Sequence, residues 1–235
     1  PYLSDEELDQ GVRLSCQVKV KEDVAIEVPE GLLAVRELST TVESITDLTH
    51  DIKGLRFRLP AGARMPFKAG QYVQLVAPPY GEVREETFRA YSIASPPHET
   101  AWIDLIIRLV PDGIVTTFVF EHLNEGDTIR LVGPFGDFHL RESDREILFI
   151  AGGSGLAPIR SIVHDMIERK ITHRTATFYF GAVQERDLYY VDAFQEIARA
   201  HDWFRFLPAL SGDDEGHYYE RGLITEVVDR HADRL

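Results

Sequence analysis

Ile147-Leu148-Phe149-Ile150-Ala151-Gly152-Gly153-Ser154-Gly155-Leu156-Ala157-Pro158 joins an apolar run to a glycine cluster and then to a helical period. The run from Ile147 to Ala151 has strand length and reads as a strand buried on both faces. Leu156, Ile159, Ile162, Val163, Met166 and Ile167 then fall on one helical face. Glycines in such a turn let backbone approach a ligand closely, and a helix N-terminus favours an anion. In an α/β fold this is where the pyrophosphate of a dinucleotide is expected. The spacing is not G-x-G-x-x-G, so a tight strand-to-helix turn without a ligand is the competing reading. A hydrolase nucleophile elbow would need glycine two places after Ser154, and Leu156 stands there.

Working outward, Thr175 to Phe180 and Phe204 to Ala209 read as strands. Val191, Phe194, Ile197 and Ala198 mark a helix, and Leu223 to Val228 the start of another. This alternation predicts a parallel sheet with helices on its faces. Upstream the pattern is different. Val42 to Leu59 reads as two strands around an Asp51-to-Gly54 turn. Tyr72 to Val76, Trp102 to Val110 and Thr128 to Val132 read as further strands, the last closing at Gly133-Pro134. A short helix is expected between Val115 and Leu123. Short strands separated by turn signals predict an antiparallel barrel or sandwich. The expected fold is an antiparallel β-domain, taken as an antiparallel β-barrel, followed by an α/β parallel-sheet domain. The expected boundaries are 1–30 for an N-terminal segment, 31–142 for the barrel and 143–235 for the α/β part, with the change near Arg141 to Arg145.

Composition narrows the function classes. The 235 residues carry a formal net charge of −14, the wrong sign for a general nucleic-acid binder. One cysteine excludes an internal disulfide. No apolar run approaches the ~20 residues of a membrane span, and a cytoplasmic location is expected. No histidine pair has metal-ligand spacing near Asp, Glu or Cys, so no metal site is expected within this chain.

Arg89-Ala90-Tyr91-Ser92 lies in the barrel half. A guanidinium can pair with phosphate oxygens, a tyrosine ring can pack on a flavin, and a serine hydroxyl can hydrogen-bond near flavin N5. In chain order come R-x-Y-S, a strand with Arg108, Gly113 to Thr116, Gly133-Pro134-Phe135-Gly136, and Gly-Gly-Ser-Gly-Leu-Ala-Pro. This series resembles the ferredoxin–NADP reductase superfamily from about Glu37 onward. The resemblance implies an FAD-binding barrel and a nicotinamide-binding α/β domain. It places Arg89 at the FAD phosphate or ribityl region, Tyr91 on the ring and Ser92 near N5, so that Tyr91 and Ser92 border the chemistry. Ile107, Arg108 and Leu109 match the strand along the cofactor. Gly113, Val115 and Thr116 match the helix start that receives its pyrophosphate. Gly152, Gly153, Gly155 and Pro158 match the nucleotide turn, with Gly181 and Arg186 beyond the next strand. Glu185 is acidic and Val183 neutral where NADPH users place serine and arginine, which implies NADH. The family pattern continues into a strand and a Cys-Gly-Pro segment that would follow Leu235, so the α/β domain is expected to be incomplete here.

Gly11 to Gln17, followed by even-spaced valines, resembles the tail of a plant-type [2Fe–2S] ferredoxin domain, with Cys16 as the fourth cluster ligand. The other three cysteines are not in this sequence, so a cluster is expected only with an upstream ferredoxin domain. A buried free cysteine is the competing reading. The combination resembles iron–sulfur flavoprotein reductases. Examples are the reductase components of oxygenases and the NADH-oxidising component of sodium-translocating quinone reductase. It implies hydride transfer from NADH to FAD, then single electrons to an iron–sulfur, protein or quinone-linked acceptor. Two alternatives remain open: a simple flavin-dependent NAD(P)H:acceptor oxidoreductase without a ferredoxin domain, and a non-catalytic flavin-binding protein.

Overall fold

The computed structural model describes residues 4–11, 23, 34–212 and 219–231. Cys16 and the even-spaced valines from Val18 to Val28 lie outside these. The chain forms two compact units, 1–33 and 34–235. In the first, the helix α1 spans Asp5–Asp9.

The second unit begins with six antiparallel strands: β1 (Arg36–Asp47), β2 (Ile52–Arg58), β3 (Tyr72–Ala77), β4 (Thr87–Ser92), β5 (Trp102–Arg108) and β6 (Thr128–Phe135). Their order is β4-β3-β6-β1-β2-β5. The sheet curls until its ends meet at an Ile93–Leu105 bridge, backed by the Ala94 N–H on the Asp104 carbonyl at 2.8 Å. Alternation explains the interior. Val73, Leu75 and Ala77 of β3 are buried with Phe57, Leu105, Ile107 and Leu131. Ile114–Thr117 forms the helix α2, which runs into a wider turn of helix over Phe118–His122. Val115, Phe118 and Val119 seal the barrel end.

Two boundaries differ from expectation. The β1–β2 turn occupies Leu48 to Asp51 and not Asp51 to Gly54. The N–H groups of Leu48 and Thr49 both reach the Ile52 carbonyl, and the Thr49 hydroxyl donates to the Asp51 carboxylate at 2.9 Å. Strand β6 continues through Gly133-Pro134 because Phe135 pairs with Tyr72 of β3, their rings 5.7 Å apart.

The α/β part carries β7 (Ile147–Gly152), the helix α3 (Leu156–Glu168), β8 (Ala176–Ala182), the helix α4 (Val191–Ala200), β9 (Phe204–Leu210), the short β10 (Glu220–Arg221) and the helix α5 (Ile224–His231). The strands are parallel in the order β10-β9-β8-β7. Helices α3 and α4 pack on one face over Phe178, Phe180 and Phe204. Helix α5 covers Tyr179 and Ala209 on the other. Strand β7 is not buried on both faces as its sequence suggests. Ile147, Phe149 and Ala151 face α3, while Leu148 and Ile150 are 41 % and 46 % exposed. It is the last strand in the order, and α5 packs on β8 and β9, so its second face is uncovered among the described residues.

Helix α3 also faces the barrel. Ser161 is fully buried and its hydroxyl donates to the Ser95 carbonyl at 2.7 Å. Arg160 donates to the Ala94 carbonyl at 2.8 Å and lies 3.5 Å from Asp104, which Arg56 holds through two bonds. The residues that leave β4 are thus fastened to the helix that leaves the glycine turn.

Candidate functional site

Strand β4 is the least covered strand of the barrel: Phe88, Arg89 and Ala90 are all exposed. Arg89 donates to the Phe88 carbonyl at 2.8 Å and has no carboxylate partner among the described residues. Tyr91 packs its ring against the barrel core. Its hydroxyl is enclosed with no hydrogen-bond partner, and burial pushes its pKa up to about 12. A neutral hydroxyl orphaned under an uncovered strand costs about 1–3 kcal/mol until something bonds to it. Ser92 ends β4 opposite Tyr72, half-buried.

Strand β5 ends beside this surface. Ile107 is in the core opposite Lys53, and the Leu109 N–H is spent on the Asp51 carbonyl at 2.8 Å. Arg108 is held by Asp51, Nε to Oδ2, at 2.7 Å. Burial pushes the Asp51 carboxyl up, but hydrogen bonds from Arg108 and Thr49 outweigh it and hold its pKa low. The fixed guanidinium lies over the glycine turn: a Cβ on Gly153 would sit 3.5 Å from its Nη1. Gly113 precedes α2, whose first N–H groups have no acceptor within the helix. Val115 is buried, and the Thr116 hydroxyl staples the loop by bonding Val110 and Gly113.

Gly152 ends β7, and Gly153 to Gly155 form one tight helical turn before α3. Gly153 has φ +51°, a left-handed conformation that glycine adopts without cost. The Tyr189 hydroxyl donates to its carbonyl at 2.8 Å. Pro158 occupies the first turn of α3, where its missing N–H costs nothing. Gly181 has a packing reason: a Cβ there would lie 2.8 Å from Ile224 Cβ. Arg186 is exposed, 3.9 Å from Asp187, and Glu185 accepts from the Tyr219 hydroxyl at 3.4 Å. The structure therefore sets Arg108 beside the 152–155 turn and keeps Arg89, Tyr91 and Ser92 together on β4, whose end meets β5 at the Ile93–Leu105 bridge, with Gly181 in the sheet and Arg186 on a separate turn.

Four residues in this arrangement escape the sequence reading: Asp51, Tyr189, Arg160 and Ser161. Asp51 looked like a turn former, and the others show no local pattern. The chemistry of the group suits two phosphate-bearing, planar cofactors. An unpaired Arg89 and helix-start N–H groups fit one pyrophosphate, and Tyr91 offers an unused bond beneath an uncovered strand. The second glycine turn fits another pyrophosphate.

Residues 39–140 match the oxidoreductase FAD-binding domain and residues 149–234 the oxidoreductase NAD-binding domain. The chain belongs to the ferredoxin–NADP reductase-like family of FAD- and NAD-binding oxidoreductases. Among its relatives is the F component of the Na(+)-translocating NADH-quinone reductase of Moritella marina. It is 34 % identical over 97 % of this chain and 87 % of its own length. The Neisseria gonorrhoeae protein of the same name is 35 % identical over 97 % of this chain. The chain spans 65 % of that relative's length. A solved Amycolatopsis cytochrome P450 reductase, GcoB, is 32 % identical with a TM-score of 0.77, covering 97 % of this chain and 69 % of its own.

Proposed function

We propose that this chain is the FAD- and NADH-binding part of a reductase that oxidises NADH and passes electrons singly to a protein or quinone-linked acceptor at the cytoplasmic face of a membrane. The single observation that carries the flavin seat is the orphaned Tyr91 hydroxyl beneath the uncovered strand β4. FAD, when bound, takes up hydride and releases electrons one at a time, and the protein supplies position and electrostatics. Arg89 meets the phosphate or ribityl end, and Tyr91 lies on the ring with its hydroxyl free to bond. Ser92 offers its hydroxyl at the reacting edge. Arg108, fixed by Asp51, adds positive charge where the dinucleotide pyrophosphate approaches Gly153. Glu185 discourages a 2′-phosphate by like charge, which favours NADH over NADPH. The names of the relatives support the quinone-linked acceptor. In a longer parent chain, Cys16 would be the fourth ligand of a [2Fe–2S] cluster.

Tyr91→Phe tests the seat. Removing an orphaned hydroxyl leaves the FAD-free protein as stable as wild type or more stable, by about 1 kcal/mol. FAD affinity falls about tenfold, the loss of one hydrogen bond. Thermal melts without FAD and flavin titration with it separate the two effects. A destabilised FAD-free variant that binds FAD as tightly as wild type sinks the assignment.

A further inference from the structure

At the N-terminal ends of β7 and β8, opposite the glycine turn, lies an open cavity of about 800 Å³. Its walls come from the barrel loop at Lys68, from the linker after Leu140, from the last turn of α3 and from the segment leading into β8. Arg174 lines it and is only 8 % exposed. Its Nε donates to the Arg145 carbonyl at 2.7 Å and its Nη1 to the Arg141 carbonyl at 3.0 Å. Its Nη2 has no acceptor, and no carboxylate pairs with it among the described residues. A guanidinium this buried is costly unless an anion answers it, and two carbonyl dipoles answer it in part. Lys68 and His173 line the same cavity without ion pairs among the described residues. The cavity's acids do not neutralise Arg174: Asp165 is bonded to Arg169 at 3.2 Å, while Glu142 and Asp144 are exposed on the linker. Phe67, Leu140 and Ile171 supply an apolar wall. Glu142 and Asp144 balance Lys68 and Arg174 in number, so the feature that marks the site is the buried guanidinium with a free Nη2 and not a net positive charge.

We propose that this cavity binds a small organic oxyanion. Its phosphate or carboxylate sits on Arg174, Lys68 and His173, and its apolar body lies against Phe67, Leu140 and Ile171. Because Arg174 also grips two linker carbonyls, the bound anion braces the connection between barrel and parallel sheet. The site shares no residue with the flavin and dinucleotide seats, so it stands or falls separately from them.

Calorimetry of the protein saturated with FAD and NAD+, at constant ionic strength, tests this with phenyl phosphate and benzoate as probes. At least one of them binds the wild type. Arg174→Gln weakens that binding about tenfold, as loss of a charge-assisted bond requires. Lys68→Ala with His173→Ala weakens it about three- to fivefold by removing two exposed hydrogen-bond donors that support no structural bond. Tighter phenyl phosphate identifies a phosphate ligand, and tighter benzoate a carboxylate. If Arg174→Gln does not fold, the rim variant decides alone. No binding of either probe to wild type, or wild-type affinity in the rim variant, overturns the proposal.

Discussion

Gly153→Val is expected to slow NADH-dependent flavin reduction about 100-fold while FAD stays bound. Two independent effects converge on this position. A β-branched side chain at φ +51° is strained by roughly 1–2 kcal/mol. Its Cβ would also stand in contact with the Arg108 side chain, 3.5 Å from Nη1, so the added bulk lies beside the guanidinium. The backbone strain, with that bulk beside Arg108, is expected to shift the turn. A displacement of about 1 Å at a positioning site costs on the order of 10²-fold in rate. The turn lies outside β4, so the flavin seat survives. Gly155→Ala is the control. Gly155 has φ −62°, and a Cβ there would meet Ala151 Cβ at an ordinary 3.6 Å. The fold accepts that alanine, so any loss of NADH affinity reports a ligand lying close to the backbone. Anaerobic stopped-flow reduction across NADH concentrations reads both variants. An unimpaired Gly153→Val removes the turn from the site.

The clasp between α3 and the barrel carries the second large effect. Arg160→Gln combined with Ser161→Ala strands the Ser95 carbonyl in a buried position and weakens the bond to Ala94. The expected loss of stability is about 1–3 kcal/mol for the unsatisfied carbonyl. The rate of flavin reduction is expected to fall about tenfold, because the glycine turn is no longer fixed relative to β4. The NADH concentration at half-maximal rate changes little, since neither side chain belongs to the proposed nucleotide seat. A variant that melts earlier but reduces its flavin at the wild-type rate would make the clasp a stabilising contact and nothing more.

The parts legible in the sequence are those encoded locally. A glycine cluster between an apolar run and a helical period announces the turn before α3, and β3 shows its alternation in Val73, Leu75 and Ala77. The run at β7 misleads because apolar composition records what a strand can bury, not what covers it. Leu148 and Ile150 are as apolar as Ile147 and Phe149, yet they face outward at the end of the sheet. The hairpin turn shifted for a similar reason. Asp51 and Gly54 are both turn formers, and the Thr49–Asp51 bond selects the earlier loop.

The candidate site divides along the same line. Arg89, Tyr91 and Ser92 lie on one strand and read as a motif. Asp51 acts on Arg108 from 57 residues away, Tyr189 on Gly153 from 36, and Ser161 on Ser95 from 66. No periodicity or spacing connects such pairs, since only the folded chain brings them together. Gly181 shows the converse. Near the end of β8 it stands where a nucleotide glycine would, but its space is taken by Ile224.

The decisive measurement is the visible absorbance of the FAD-loaded chain under anaerobic conditions, before and after addition of NADH or NADPH. The flavin is expected to bleach rapidly with NADH and more slowly with NADPH. A folded chain that takes up no FAD, or one whose bound flavin neither dinucleotide bleaches, would contradict the reading of β4 and the glycine turn as two halves of one hydride-transfer site.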